Sequence, residues 1–255
     1  YGTVEAVDSY KYLLDDIYEV YQIIDDDIPR IEVDSQEQIK KYMLQILFSK
    51  LDELKNELIE YGKLAGVKNF TPGYSGNFSA RYGDKILITS SGSSNGYLTE
   101  KELVLMDFDG NLIEGDKKPS SEKMLHAEFY KQRPDVNYII HVHPPYLSSF
   151  ACCHIALDEP IMAENVFYFG QIPLAEYALP GSMDLVEKTA LYFKDYDAVL
   201  MANHGFIVGD KTIKDAFLKL ELAESYAQVV LNTKIMGGAV LFSPAQVDEI
   251  NSLKK

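Results

Sequence analysis

Cysteine is scarce in this 255-residue chain: there are two, and they are neighbours, Cys152 and Cys153. Adjacent cysteines do not readily meet disulfide geometry, so nothing in the sequence calls for an oxidising compartment. The pair reads as two buried thiols on a helix. Long apolar runs are also missing. No uninterrupted stretch approaches the roughly 20 residues that span a bilayer, and no basic-then-apolar leader pattern opens the chain, so a cytoplasmic location is the expectation. Positive charge is short as well, with 24 Lys and Arg against 39 Asp and Glu and a net charge of -15. Such a balance argues against a nucleic-acid surface or an anionic membrane as partner.

The charge is unevenly spread. Residues 1–34 hold ten acidic side chains against Lys11 and Arg30 alone, which accounts for more than half of the net charge. Residues 1–45 therefore read as an acidic helical extension and residues 46–255 as the main domain. Within the extension, Tyr10, Leu13, Leu14, Ile17, Tyr21 and Ile24 fall at helical spacing. The segment from Ser35 fits a capping box that opens a second helix through Ile39, Ile46, Leu51, Leu54 and Leu58, expected to stop near Gly62 or Gly66.

From Phe70 the texture changes to short apolar runs separated by Gly-, Ser- and Asn-rich turns. Strands are expected at Lys85–Thr89 and in a hairpin of Leu103–Asp107 with Leu112 and Ile113. A helix is expected to open at Pro119–Glu122, and others at 146–154, 184–193 and 213–233. Residues 161–173 read as irregular or extended, and the segment after Gly238 as a tail. Strands and helices alternate, but the hairpins point to a mixed sheet with helices packed around it, an α/β fold.

Histidine is nearly as scarce as cysteine, yet three of the five sit in two short segments. Tyr138 to Val142 reads as a buried strand, and alternation sends His141 and His143 to one face. His204 follows a second apolar run, Ala198 to Ala202. Three neutral imidazoles at strand ends can converge on a divalent metal and leave positions open for substrate. Histidines that simply find core hydrogen-bond partners are the alternative, which suits a single histidine better than this set. His154 stands without such company. His126 falls four residues after Glu122, on the same helical face, and reads either as a support for a ligand or as a core histidine.

Three small-residue loops, at Gly76–Asn77, Ser91–Gly92 and Ser120–Ser121, present backbone N–H groups and hydroxyls, and the third precedes a helix. An acidic protein can bind a phosphate in this way without a lysine patch. Glu122, next to Ser121, is then a candidate metal ligand or base.

Taken together, Ser75–Arg81, Thr89–Gly92, Pro119–Glu122, His141–His143 and Asn203–Gly205 resemble the class II aldolase/adducin family, its L-fuculose-phosphate aldolase branch in particular. The resemblance runs in order from about Leu47 to Gly238. It implies a three-layer α/β/α fold with a mixed, largely antiparallel sheet, and a homotetramer with active sites between subunits. It further implies zinc on His141, His143 and His204, with Glu122 as ligand and proton carrier. Gly76, Asn77, Ser91, Gly92, Ser120 and Ser121 would hold a substrate phosphate. The implied reaction is cleavage of a ketose 1-phosphate to dihydroxyacetone phosphate and an aldehyde through a metal-stabilised enediolate. Fuculose-phosphate aldolases carry a tyrosine after the H-x-H strand and another in the tail. The corresponding stretch of this chain, Ile161–Asn165, and the tail after Gly238 hold no tyrosine, and Glu164 takes the place where other members carry a glutamate, which implies a second acid/base there. Related epimerases, decarboxylases and dehydratases share the same metal chemistry. Adducin-type interaction modules have lost the metal ligands that this chain keeps.

Overall fold

The structure is a computed structural model that describes residues 36–254, with side chains from Leu47 onward. The amphipathic pattern at 8–24 and Ser35 of the capping box lie outside the described residues. The chain divides between Phe48 and Ser49 into two units. The second unit carries the sheet and the candidate site, and one helix leads into it.

That helix, α1 (Gln36–Val67), runs past both glycines at which it was expected to stop. Gly62 and Gly66 lie against the segment Asn95–Gly96, where a Cβ on either would come within 2.7 Å of Asn95 O or 2.6 Å of the Gly96 Cα. The glycines allow a close approach rather than ending the helix.

Eight strands form one sheet: β1 (Asn77–Tyr82), β2 (Lys85–Thr89), β3 (Leu103–Asp107), β4 (Leu112–Glu114), β5 (Tyr138–Val142), β6 (Leu174–Ala175), β7 (Ala198–Met201) and β8 (Gly205–Asp210). Their order is β4-β3-β2-β1-β5-β8-β7-β6. Every pairing is antiparallel except β6 with β7. The remaining helices are α2 (Lys123–Gln132), α3 (Pro145–Cys152), α4 (Ala163–Tyr168), α5 (Met183–Phe193), α6 (Ile213–Ile235) and α7 (Pro244–Asn251).

Strand alternation divides the core in two. Phe78, Leu87, Leu105, Ile140, Leu200 and Phe206 share one cluster with Leu54 and Leu58 of α1, Leu147 of α3 and Phe217 and Leu220 of α6. Ile86, Ile88, Met106, Ile139, Val199 and Ile207 share the other with Leu125 and Phe129 of α2 and Leu185 and Phe193 of α5. Each fully buried side chain of this kind contributes on the order of 1.5–3 kcal/mol. The Phe129 and Phe193 rings stack at 4.2 Å and join the two helices of the second layer. Helices on both faces of a mixed sheet give the expected α/β/α sandwich, and no helix among the described residues is long and apolar enough to cross a membrane.

Several local expectations are corrected by the fold. The helix expected from Pro119 starts at Lys123, with Glu122 at its N-cap. Residues 161–173 contain α4, and the tail contains α7, opened by a Ser243–Gln246 capping box and Pro244. β7 ends at Met201, so His204 stands in the turn between β7 and β8. Cys152 and Cys153 are exposed, not buried, because they close the last turn of α3 on its outer side.

Candidate metal centre

The site forms where β1, β5 and β8 run side by side. Register places Asn77 opposite His141 and His141 opposite Ile207. Asn77 and His141 therefore share the face that looks toward α2, and Glu122 at the N-cap of α2 reaches them. Two glycines let the strands close up. A Cβ on Gly205 would overlap the His143 ring, and one on Gly76, whose φ is +77°, would lie 2.5 Å from the His141 carbonyl.

The three histidines converge as the spacing predicts. Their donor atoms all lie within 4.8 Å of one another, and His141 Nε2 and His143 Nε2 are 3.2 Å apart. Nitrogen ligands at about 2.0–2.1 Å from a tetrahedral zinc stand roughly 3.3–3.4 Å from each other, so the observed edge fits. The Glu122 carboxylate completes the cluster, with Oε2 3.0 Å from His141 Nε2 and Oε1 3.1 Å from His204 Nε2. His141 Nδ1 donates to the Phe206 carbonyl at 2.9 Å, which fixes the tautomer and turns the lone pair of Nε2 into the cluster.

The electrostatics suit a cation. Burial alone would raise the Glu122 carboxyl, but the His141 and His204 imidazoles outweigh it and hold the group well below the usual carboxylate range. Burial, reinforced by His141 and His204, brings His143 down to about 3, the neutral form that a ligand requires. Burial opposes a charge on His141, yet Glu122 raises it overall. The pull that favours a proton on this nitrogen favours a metal ion equally. Glu122 Oε1 and His204 Nδ1 are buried without a well-formed hydrogen bond. Converging lone pairs, an ionised carboxylate and an orphaned oxygen form a donor set that a divalent ion would satisfy.

The loops expected to hold phosphate meet on one side of this cluster. An antiparallel bridge joins Ser90 to Pro119, Ser91 N donates to the Lys118 carbonyl and Ser120 N to the Thr89 carbonyl. Ser91, Gly92 and Ser121 are exposed there, Gly92 with a φ of +76° and open space where a Cβ would stand. Ser120 is buried, and its hydroxyl accepts from Glu122 N at 3.2 Å. Asn95 ties in the Gly76–Asn77 loop by donating to Thr71 Oγ1 and the Ser75 carbonyl, both at 2.9 Å. The Asn77 side chain, expected on a phosphate, donates instead to Glu122 Oε2 at 2.8 Å. Glu164 is exposed in the first turn of α4 and takes no part in the bonds around Glu122.

Two supports lie behind the cluster, His126, which helical spacing had set on the face of Glu122, and Glu224, which had no signal in the sequence. His126 is wholly buried and bonds Asn77 Oδ1, not the metal cluster directly. Glu224 of α6 accepts N–H bonds from Tyr146 and Leu147 at 2.9 and 2.8 Å. It thereby caps α3, whose own N-cap is Pro144, next to His143. The pair is 78 residues apart for Tyr146, so only the folded chain reveals it.

Comparison with known proteins bears on the family and the fold. A sequence profile for the Class II Aldolase and Adducin N-terminal domain matches residues 56–231. The chain is 36% identical over 177 residues to an L-fuculose phosphate aldolase of Methanocaldococcus jannaschii, covering 69% of this chain and 95% of that protein. It is 33% identical over 181 residues to a 3-oxo-tetronate 4-phosphate decarboxylase of Haemophilus influenzae, covering 69% and 85%. A solved L-fuculose 1-phosphate aldolase superposes with a TM-score of 0.74 at 32% identity, covering 79% of this chain and 95% of that one.

Proposed function

The chain belongs to the class II aldolase and adducin family, and from that premise we propose that it is a metal-dependent aldehyde-lyase that cleaves a ketose 1-phosphate to dihydroxyacetone phosphate and an aldehyde. The observation that carries the reading is the packing of Glu122 against both His141 and His204 beside a rim of small residues. A protein-interaction module has no need of buried, converging ligands.

In this reading His141, His143 and His204 hold a zinc or similar divalent ion, with Glu122 as a ligand that substrate can displace. Bound there, the ion supplies Lewis-acid stabilisation of the charge that builds on the carbonyl oxygen. Ser91, Gly92, Ser120 and Ser121, with the Gly76–Asn77 backbone behind them, hold the phosphate and so fix the reacting carbon against Glu122. In cleavage, a base takes the proton of the hydroxyl on the aldehyde side. The carbon–carbon bond breaks toward the ketone fragment, and Glu122 returns a proton to that fragment's carbon. Glu164, exposed at the start of α4, is the residue we assign to the aldehyde-side proton. A homotetramer would bring it to a neighbouring copy's site.

The similarity to a decarboxylase supports a second reading, in which the same centre stabilises the charge left by loss of carbon dioxide. A panel of sugar phosphates and 3-oxo acid phosphates, assayed for triose phosphate and for carbon dioxide, separates the two. Triose phosphate from a ketose 1-phosphate is expected, slowed on the order of 10²–10⁴-fold in Glu122→Gln, the typical contribution of a positioned acid/base. Carbon dioxide, epimer or dehydration product without triose phosphate would sink the aldolase reading.

A further inference from the structure

Behind the metal centre runs a string of polar side chains that neither ligates nor faces the phosphate loops. Asn77 Nδ2 lies 2.8 Å from Glu122 Oε2, and Asn77 Oδ1 lies 2.5 Å from His126 Nε2. His126 Nδ1 lies 2.7 Å from Ser79 Oγ, which in turn lies 2.8 Å from Tyr130 Oη. Ser79 and His126 are wholly buried, Tyr130 is 1% exposed, and Asn77 and Glu122 are each 6% exposed. They are set among the apolar side chains of the α2 layer, such as Leu125, Phe129 and Ile139. Burying five polar groups in such a place is costly unless every link is made.

The direction of each link follows from the one before. The amide nitrogen of Asn77 donates to Glu122 Oε2, so Asn77 Oδ1 must accept on its other side. His126 Nε2 therefore carries the proton that reaches Oδ1. His126 is wholly buried among apolar side chains, where a neutral ring with its proton on Nε2 keeps Nδ1 bare, 2.7 Å from the Ser79 hydroxyl. Nδ1 then accepts from the Ser79 hydroxyl, and Ser79 Oγ is left to accept from Tyr130. Tyr130 Oη also lies 3.3 Å from the Asn137 carbonyl, which competes for the same proton, and the shorter 2.8 Å bond to Ser79 takes it.

We propose that Tyr130, Ser79, His126 and Asn77 form a one-way hydrogen-bond chain that fixes the rotamer of Glu122, holding Oε2 and leaving Oε1 free to exchange ligand or proton. The two oxygens of Glu122 already differ in the expected sense: Oε2 accepts from Asn77, whereas Oε1 has no well-formed hydrogen bond. Asn77 and His126 are positioning residues, since neither touches the reacting atoms. The role assigned to Oε1 rests on Glu122 being the proton carrier, but the direction of the chain does not.

The test therefore begins away from turnover. With five histidines in the chain, long-range proton–nitrogen spectra of ¹⁵N-histidine-labelled full-length protein resolve each ring, and His126→Gln identifies the signal. A protonated Nε2 with a bare Nδ1 is expected for His126. The opposite tautomer overturns the chain whatever reaction the protein performs. Co²⁺ titration then reads the effect on the site. His126→Phe, which keeps the volume but removes both links, should weaken Co²⁺ binding about 10–100-fold, the usual effect of losing a residue that orients a ligand. His126→Gln, whose amide can donate to Asn77 and accept from Ser79, should restore most of it at an unchanged melting temperature. Should the phenylalanine variant be unfolded, Ser79→Ala provides the same comparison, because it frees the tautomer without removing the ring. Unchanged Co²⁺ affinity in a folded variant that lacks these links would reduce the string to core satisfaction and overturn the proposal.

Discussion

His154 and Asn203 both hold left-handed backbone conformations, at φ +56° and +54°, and are joined by a 2.6 Å hydrogen bond from His154 Nε2 to Asn203 Oδ1. Asn203 N also donates to the Ala151 carbonyl at the end of α3. The turn that carries His204 is thus fastened to the helix that follows His143, and the two histidine-bearing segments hold each other in register. Asparagine tolerates this conformation better than most residues. Replacing Asn203 by Ala should cost about 1 kcal/mol in backbone strain and also remove the bond to His154. A lower melting temperature together with weaker metal retention is expected, measured by calorimetry and by metal analysis after dialysis. A melting point that falls without any change in metal retention would show that the turn does not govern His204.

Metal content is the most direct check on the centre. The purified, metal-repleted protein should hold about one divalent ion per chain, and a strong chelator should abolish turnover reversibly. His143→Ala removes a ligand outright, so its loss of affinity should exceed the roughly 10–100-fold typical of a lost supporting residue. Equal metal content in wild type and variant would remove His143 from the site.

At the end of β7 remote from His204, Asp197 pairs with Arg133 at 2.8 Å and Lys219 at 2.5 Å, linking the end of α2 to α6. Burial alone would raise the Asp197 carboxyl, but Lys219 and Arg133 outweigh it and hold the group below its ordinary value. A depressed carboxyl stabilises the fold fully above its unfolded value of about 3.9 and less as pH falls through the folded one. Asp197→Asn should therefore cost about 2 kcal/mol near neutrality, with the difference from wild type shrinking below about pH 4. Denaturant melts at several pH values measure this, and a gap that widened in acid would contradict the pairing.

Deletion of residues 1–34 should leave turnover largely intact. The family match begins at residue 56, and the expected ligands and phosphate-loop residues lie between Gly76 and His204. Steady-state rates and sedimentation of the truncated protein decide the matter, and a collapse in either would mean that the acidic segment shapes the site or the assembly.

Much of the sheet could be read along the chain because strand signals are local. Lys85–Thr89 is a short apolar run between turns, and the Asp109–Gly110 turn announces its hairpin. The misleading signals were local in form too. Gly62 and Gly66 look like helix stops until Asn95 and Gly96 come against them, and the tail after Gly238 hides a helix that only its capping serine and proline signal. The two-residue strand β6 pairs with a strand some 25 residues later through Leu174 and Leu200, a contact without a periodicity of its own.

The sequence by itself determined which chemical groups the site can use. The H-x-H at 141–143, the glycine after His204 and the carboxylate at 122 are short-range patterns, and the residue types alone limit what they can bind. Tertiary structure decided how those groups are held. Asn77 was expected on a phosphate and sits on Glu122, His126 backs Asn77, and Glu224 caps the helix beside His143. These links join residues 45 to 78 positions apart. A hydrogen bond fixes direction and distance only once both partners are in place, and no pattern along one chain segment encodes that.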